Sequence, residues 1–319
     1  MRVKVYWRIG ISQARTDSRA GRLNLPTGRK VVLTLQKAIG EYIEKLSEEG
    51  GKDIASKKRR LNQHVMPFLG SKSLSQISTF DVERYKKTRK EKNASNGTIN
   101  RELAALSHLL NKAIEWRWIA HKPCSIRLLK EEASRIIYLT QEQIAKLIDC
   151  AKQDQNPYIY PFIIIGLETA MRRMEILSIR ICDIDVEKRV IYIPQAKAGS
   201  REQPITSHLA EFLQDYIATA SKGQEWLFDS IASDTGHTIN IEKPFRRVVK
   251  AAGLDPKVIV RHTLRHTAIT HLVQAGVDLP TVKRISGHKT LAMVERYSHQ
   301  NGNHIQAAMD KLETRYNIV

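Results

Sequence analysis

His262-Thr-Leu-Arg-His266 is followed along this chain by Gly287-His288 and then by Glu295-Arg-Tyr-Ser-His299. A second notable stretch, Thr169-Ala-Met-Arg-Arg-Met-Glu-Ile-Leu177, lies far upstream. Together these segments concentrate the arginines, histidines and tyrosine that chemistry on a phosphate ester requires. They predict one site assembled from distant parts of the chain.

The chemistry follows from the side chains. A guanidinium group binds two phosphate oxygens and keeps its charge, so Arg172 and Arg265 could together stabilise the charge of a pentacoordinate phosphorus. Tyr297 could attack the phosphorus and form a covalent intermediate once cations lower its pKa from about 10. A lysine or histidine within reach could protonate the leaving 5′ oxygen.

Each residue also has a simpler interpretation. A lone Arg or Tyr is usually a surface or core residue, and His262 with His266 has the spacing of a metal pair. No acidic residue or cysteine stands beside that pair, so we expect no metal site. Leu279–Tyr297 could instead be a helix-turn-helix of a DNA-binding regulator without chemistry, with Pro280 at a helix start and Gly287 in the turn.

The order and spacing of the segments resemble a known family. His262-x-x-Arg265, Gly287-His288 and Tyr297 resemble the second signature box of the tyrosine recombinase (phage integrase) family, and Thr169–Leu177 resembles the first. The resemblance covers essentially the whole chain. It implies a helical core-binding (SAM-like) N-terminal domain and a mixed α/β catalytic domain, so the expected fold is mainly α with a small β-sheet.

The resemblance also implies the role of each site residue. The expected catalytic residues are Tyr297, Arg172, Arg265, His262, His288, Lys197 and Glu175. Tyr297 would form a 3′-phosphotyrosyl bond, Lys197 would protonate the leaving oxygen, Glu175 would hold the basic groups, and the others would surround the phosphate. Two further basic residues, Lys188 and Arg201, lie near Lys197 and are the alternatives to it. Neither a metal nor ATP nor another cofactor is expected. The chain departs from the family at Ala170, Met174 and Ser286, which we interpret as packing positions.

Composition points to a polyanionic partner. The 319 residues include 52 Lys and Arg against 33 Asp and Glu, a formal net charge of +19. Such a surplus favours nucleic acid, because basic side chains release condensed counterions from phosphates. A solubilising surface or an anionic membrane would explain the charge less specifically.

The same composition predicts the cellular setting. No run of about 18 apolar residues could span a bilayer, and residues 1–30 lack an apolar stretch of signal-peptide length. The three cysteines, Cys124, Cys150 and Cys182, are odd in number and form no disulfide framework. We therefore expect a cytoplasmic protein with no membrane partner.

Patterning along the chain predicts four parts: a basic arm (1–32), a helical core DNA-binding domain (33–129), a linker (130–137) and a catalytic domain with a C-terminal docking helix (138–319). Local signals within them are helix caps at Thr34, Ser78–Asp81 and Thr98, a T-x-x-Q capping box at Thr140, an apolar helix at Pro161–Leu167, and a hairpin of Val190–Ile193 with Gln203–Ile205.

Basic side chains outside the apolar helix stripes predict a DNA-binding surface, although such charge is often only a solvated face. The residues are Lys57, Lys58, Arg59 and Arg60, which we expect to open a helix, with Lys86, Lys87 and Arg101. Whether the arm binds DNA stays open.

The function that the resemblance implies is site-specific recombination of double-stranded DNA. By resemblance, the two domains form a C-shaped clamp, and a homotetramer acts on two DNA sites, with an accessory DNA-bending protein possible. An apolar stripe of Ile305, Met309 and Leu312 could pack on its own domain, but the resemblance favours docking on a neighbouring protomer. Phage or mobile-element integration and excision is the expected role, and a Xer-like cellular recombinase resolving chromosome or plasmid dimers is the nearest alternative.

Overall fold

The computed structural model describes residues 33–131, 135–194, 199–298 and 309–310. The chain divides between Ala133 and Ser134 into two compact units, which are described one at a time. The basic arm, Lys197, Ile305 and Leu312 lie outside the described residues. Within the described residues, no helix is long and apolar enough to cross a membrane.

The first unit is helical. Its α-helices are α1 (Leu35–Glu48), α2 (Ile54–Arg60), α3 (Met66–Leu69), α4 (Thr79–Glu91) and α5 (Asn96–Glu115), and a π-helical turn, Leu61–Val65, joins α2 to α3. The apolar stripes of these helices form one core, which includes Leu35, Tyr42, Leu61, Leu103 and Leu110, each fully buried.

Two of the predicted helix starts in this unit are confirmed. The hydroxyl of Thr34 accepts from the N–H of Lys37 at 3.5 Å, and Ser78 and Asp81 form a reciprocal capping box. The start predicted at Thr98 is wrong, because Ser95 provides the cap, accepting from the N–H of Thr98 at 3.2 Å.

The predicted position of the four-residue basic run is also wrong. Lys57–Arg60 ends α2 instead of opening it, because the helix begins after Asp53, which has φ of 60°.

The second unit is mixed. Its elements are α6 (Gln141–Lys152), α7 (Ile159–Thr169), α8 (Arg173–Leu177), β1 (Ile184–Asp185), β2 (Val190–Ile193), β3 (Arg201–Pro204), α9 (Ser207–Ala218), α10 (Glu242–Ala251), α11 (Arg261–Gln274), α12 (Leu279–Ser286) and α13 (Ala292–Glu295). The fold is thus mainly α-helical with one small sheet, as predicted from the sequence.

The sheet is antiparallel in the order β1-β2-β3. Val190 pairs with Pro204 and Ile193 with Arg201, so the predicted hairpin is present, although its second strand begins two residues earlier than expected. The predicted capping box at Thr140 is confirmed by its reciprocal bonds with Gln143.

The core of this unit forms around α7, whose apolar residues are buried nearly all round. α11 packs against α7, and Gly166 permits this approach, since a Cβ there would lie 3.0 Å from Leu264. A smaller cluster joins α11 to α12 and α13 and includes Val282, Val294 and Tyr297. These two clusters bring the ends of α7, α11 and α12 together.

Candidate active site

Arg172 and Glu175 meet at the turn between α7 and α8. The N–H of Arg172 donates to Glu175 Oε2 at 3.0 Å, and its guanidinium donates to Oε1 at 2.8 Å. Ala170, just before, is fully buried with φ of 56°, a conformation that glycine adopts more easily. The departures from the family are therefore not all packing positions: Ala170 stands at a conformational one, and Met174 is 38% exposed.

A second arginine, Arg201 of β3, holds the same carboxylate. Its guanidinium donates to Glu175 Oε2 at 3.0 Å, and it also donates to the carbonyl of Ile285 at 3.3 Å. In the sequence, Arg201 stands out only as a basic residue close to Lys197. The available signal was a basic residue on the predicted hairpin. Its partner, Glu175 of the first signature box, lies 26 positions away in the sequence.

Arg265 lies on α11 and is 2% exposed. Its guanidinium donates to the carbonyl of Ala170 at 2.5 Å and to His288 Nε2 at 3.2 Å. Arg172 donates to the carbonyl of Gly287 at 3.0 Å. Both predicted arginines are therefore anchored to the segment that carries His288, and a third guanidinium adjoins them at Glu175.

Gly287 fits this crowded point for two reasons. Its φ of 64° ends α12 in the left-handed conformation, which favours glycine. A Cβ at this position would also lie 2.8 Å from Nε of Arg201. A larger residue would therefore push apart the groups that surround His288.

Ser286 corrects the sequence-based interpretation most clearly. It is fully buried, and its hydroxyl lies 2.7 Å from His288 Nδ1 and donates to the carbonyl of Val282 at 2.6 Å. With Nε2 of His288 accepting from Arg265, the neutral imidazole carries its proton on Nδ1 and donates it to Ser286. Ser286 therefore orients a site histidine.

Tyr297 lies next to the histidines of α11. Its side chain is 2% exposed, and its phenol oxygen is 2.7 Å from His266 Nδ1. The ring centroid of Tyr297 is 6.4 Å from that of His288, and His262 stacks edge-on against His266 at 4.6 Å. His266, which sequence analysis considered only as part of a metal pair, contacts the phenol directly.

Burial and positive charge hold the histidines neutral. The pKa of His288 falls to about 4 through burial and the charges of Arg265 and Arg172. The pKa of His266 also falls to about 4, through burial and then His262, Arg296 and Arg265. Burial and the neighbouring arginines also lower the pKa of His262. At neutral pH these rings can accept as well as donate hydrogen bonds.

The other titratable groups keep their ordinary charges. Burial and the charge of Arg172 lower the pKa of Arg265 to about 10, so it remains a cation at neutral pH. Burial alone would raise the pKa of Glu175, but hydrogen bonds from Arg172 and the charge of Arg201 bring it below 4.5. Burial raises the pKa of Tyr297 above 10, against the opposing charges of Arg265 and Arg296, so its phenol is protonated.

The structure therefore brings together six of the seven predicted catalytic residues; the seventh, Lys197, lies outside the described residues. Lys188, the alternative lysine considered beside it, is paired with Asp185 at 2.9 Å. Among the residues that the structure describes, no three His, Cys, Asp or Glu side chains are grouped to hold a metal ion.

The predicted DNA-binding residues divide by exposure. Lys58, Arg59, Lys87 and Arg101 are exposed. Lys57 donates to the carbonyl of Lys52, and Arg60 to Asp53, while both remain partly exposed. Lys86 is only 5% exposed, with its ammonium group 2.6 Å from Glu83. Because Lys86 is buried and paired, we withdraw it from the predicted DNA contacts.

Comparison with known proteins gives relatives along most of the chain. Residues 137–304 match the phage integrase family. The shufflon-specific DNA recombinase of Escherichia coli is 27% identical over 299 residues, which cover 90% of this chain and 74% of the relative. The integrase of Haemophilus phage HP1 (strain HP1c1) is 24% identical over 286 residues, covering 85% and 79%.

Solved structures agree in fold. The Tn1549 transposon integrase in complex with a circular intermediate DNA has a TM-score of 0.71 and 22% identity, covering 88% of this chain and 99% of that one. A lambda integrase dimer bound to a COC′ core site has a TM-score of 0.68 and 18% identity, covering 93% and 88%. Since the family match spans more than half of the chain, this protein belongs to the phage integrase family and is a tyrosine site-specific recombinase.

Proposed function

We propose that Tyr297 attacks a DNA phosphodiester and that Arg172, Arg265 and His288 bind the phosphate under attack. The observation that carries this proposal is the convergence of three distant segments. Arg172 and Arg265 both donate to the Gly287–His288 turn, and Tyr297 packs beside that turn. Two fixed cations at one point suit a pentacoordinate phosphate, whose negative charge grows in the transition state.

In the first step, the phenol oxygen bonds to phosphorus, and the bond from phosphorus to the 5′ oxygen breaks. The product is a 3′-phosphotyrosyl ester and a free 5′ hydroxyl, which needs a proton. We infer that Lys197 supplies it, because Lys197 matches the family's leaving-group acid by position. In the second step, the 5′ hydroxyl of a partner strand attacks the ester and releases Tyr297. One phosphoester replaces another, so no cofactor is required.

Glu175 and His262 complete the proposed site. Glu175 accepts from Arg172 and Arg201 and so fixes both guanidinium groups without contacting DNA itself. His262 lies one helical turn before Arg265 on α11, where burial and the charges of Arg265 and Arg172 lower its pKa. We propose that it donates to a phosphate oxygen, which its neutral ring can do.

The partner is double-stranded DNA carrying a specific recombination site. We propose that Lys57, Lys58, Arg59, Arg60, Lys87 and Arg101 contact its backbone. Such contacts would weaken steeply with salt. The Tn1549 and lambda integrases were solved as DNA complexes, which supports this partner. We place the reaction in the cytoplasm, where the chain's cysteines would stay reduced.

We propose that the chain assembles as a homotetramer on two sites, with an accessory DNA-bending protein where the site requires one. An apolar cavity of about 480 Å³ on the second unit, lined by Ile144, Leu167, Ile205, Leu272 and Ile285, supports assembly. It offers an acceptor for the Ile305–Met309–Leu312 stripe of a neighbouring protomer. Met309 is 55% exposed.

We favour integration and excision of a phage or mobile element, because the relatives include phage integrases and a transposon integrase. The tyrosine recombinase XerC of Chlamydia caviae, 29% identical over 222 residues, supports the cellular alternative. The helix-turn-helix regulator is disfavoured: its recognition helix would be α13, which is only four residues long.

A nicked suicide substrate tests the proposal. Cleavage of such DNA releases a short fragment that diffuses away, so the covalent protein–DNA adduct accumulates. We expect a metal-independent adduct in EDTA that Tyr297→Phe abolishes while DNA binding persists. An adduct formed by the Tyr297→Phe protein, or loss of the wild-type adduct in EDTA, would disprove this mechanism.

A further inference from the structure

His266 directly contacts Tyr297, the proposed nucleophile. Its Nδ1 atom is 2.7 Å from the phenol oxygen of Tyr297, across 31 positions of sequence. The contact joins α11, which also carries Arg265, to Tyr297, two residues after the end of α13. His266 therefore touches the atom that attacks phosphorus.

The groups around the ring determine the protonation states of His266 and Tyr297. His262 and Arg265 face His266 from its own helix, while Tyr297, Arg296 and His288 approach from the C-terminal segments. Burial, followed by His262, Arg296 and Arg265, lowers the pKa of His266 to about 4, so its ring is neutral. The phenol is protonated, because burial raises the pKa of Tyr297. In the tautomer that carries its proton on Nε2, the neutral ring accepts at Nδ1, and the O–H of Tyr297 donates to it.

We propose that His266 is the general base of the strand-cleavage step, taking the Tyr297 proton on Nδ1 as the phenol oxygen bonds to phosphorus. This inference rests on the proposed function, in which Tyr297 is the nucleophile. The proton passes from the phenol oxygen to Nδ1, and the electron pair of the O–H bond forms the new bond to phosphorus. The bond to the 5′ oxygen breaks, and that oxygen is protonated by a different group.

The ligation step reverses this transfer. The 5′ hydroxyl of the incoming strand attacks phosphorus, and the tyrosyl oxygen leaves. Protonated His266 returns its proton to that oxygen, which restores the neutral ring. The low basicity of the ring makes the returning proton acidic, which favours release of Tyr297.

A His266→Asn variant separates proton transfer from hydrogen bonding. The asparagine side chain keeps an acceptor near the Nδ1 position but does not take up a proton. We expect the single-turnover rate of adduct formation at saturating DNA to fall by about 10²–10³ at pH 7. DNA affinity should not change, since His266 contacts the phenol and not the phosphate.

The pH dependence of the cleavage rate distinguishes proton transfer from a structural role. A purely structural role of His266 would leave that dependence unchanged. With a neutral base present, the wild-type rate should be flat between about pH 6 and pH 8. In the variant the reactive species is the phenolate, so the rate should rise about tenfold per pH unit over that range. Fluorotyrosine at position 297, whose phenol is more acidic, should restore much of the lost rate.

A bridging 5′-phosphorothiolate substrate identifies the side of the reaction that is impaired. Sulfur leaves without protonation, so this substrate should rescue loss of a leaving-group acid such as Lys197→Ala. It should not rescue His266→Asn. Rescue of His266→Asn by sulfur, or a rate that falls without a change of pH slope, would overturn the assignment.

Two controls keep the outcome interpretable. His121→Asn makes the same change at an exposed histidine of the first unit and should behave as wild type. His266→Gln provides a second variant if His266→Asn is unfolded by circular dichroism, and it should show the same pH slope. If Tyr297→Phe abolishes the adduct but both His266 variants match wild type, the general-base role alone is wrong. If Tyr297→Phe still forms the adduct, the proposed function itself is wrong.

Discussion

Each unit of this protein contains a buried glutamate that accepts hydrogen bonds from arginine, and the two arrangements differ in net charge. In the first unit, Glu102 accepts two hydrogen bonds from Arg89, at 2.7 and 2.9 Å, and one from Tyr85 at 2.6 Å. One carboxylate and one guanidinium, joined side by side, neutralise each other. The pair serves the fold of the helical unit.

In the second unit, Glu175 receives one side-chain hydrogen bond from Arg172 and one from Arg201, and Arg265 adjoins them through His288. Three guanidinium groups against one carboxylate leave a positive surplus at the point where Tyr297 packs. The same residue types thus make a neutral structural pair in one unit and, in the other, the site that we propose to bind the phosphate. The difference lies in the number of arginines for each carboxylate.

The largest effect that this comparison predicts is on stability in the first unit. Arg89→Ala leaves the Glu102 carboxylate, whose side chain is 1% exposed, buried without its cation. We expect the free energy of unfolding to fall by about 3–5 kcal/mol. Urea unfolding followed by circular dichroism measures it, and Lys58→Ala, an exposed change in the same unit, should cost below about 0.5 kcal/mol. A loss below about 1 kcal/mol for Arg89→Ala would show that the pair is not structural.

The corresponding change in the second unit should act on chemistry. Arg172→Ala removes a fixed cation from the proposed phosphate site, so the rate of adduct formation on the suicide substrate should fall by about 10²–10³. Arg180→Ala is the matched control, because Arg180 is 47% exposed, packs over Trp226 and pairs with Glu225 at 3.4 Å. Equal rates for the two variants would contradict the proposed role of Arg172.

The sequence predicted those features that local chemistry decides. The caps at Thr34, Ser78 and Thr140 bind backbone within three residues, and the hairpin follows from alternation over a few positions. The start predicted at Thr98 missed the true cap, Ser95, although both side chains lie within one turn. The family resemblance singled out six residues that the structure brings together, because their order and spacing are specific.

Contacts across the fold were the part that sequence could not supply. Burial of Lys86 depends on how α4 packs, and the spacing of its neighbours predicted an exposed cation. The contact between His266 and Tyr297 requires α11 to pack against the turn that follows α13. The i, i+4 spacing of His262 and His266 suggested only a metal pair. Arg201 reaches Glu175 only after the hairpin has folded against α8.

The stability of Glu175→Gln relative to wild type should depend on pH. Because the folded pKa of Glu175 lies below its ordinary 4.5, the carboxylate stabilises the fold above that pH and loses this contribution as pH falls. We expect the variant to be less stable than wild type by about 1.5–3 kcal/mol at pH 7. The gap should shrink on acidification towards pH 4, as measured by urea unfolding at each pH. A gap that widens instead would mean that Glu175 is protonated in the native protein.

The smallest expected effect concerns Ser286, whose hydroxyl satisfies His288 Nδ1 inside the core. Ser286→Ala leaves that ring nitrogen without a partner, so the orientation and tautomer of His288 are less well fixed. We expect adduct formation to slow by about three- to tenfold, the equivalent of about 0.5–1.5 kcal/mol for one hydrogen bond. Ser286→Thr, which keeps the hydroxyl, should recover most of the rate if the methyl group fits. If Ser286→Ala cleaved at the wild-type rate, His288 would be oriented by Arg265 and the backbone alone.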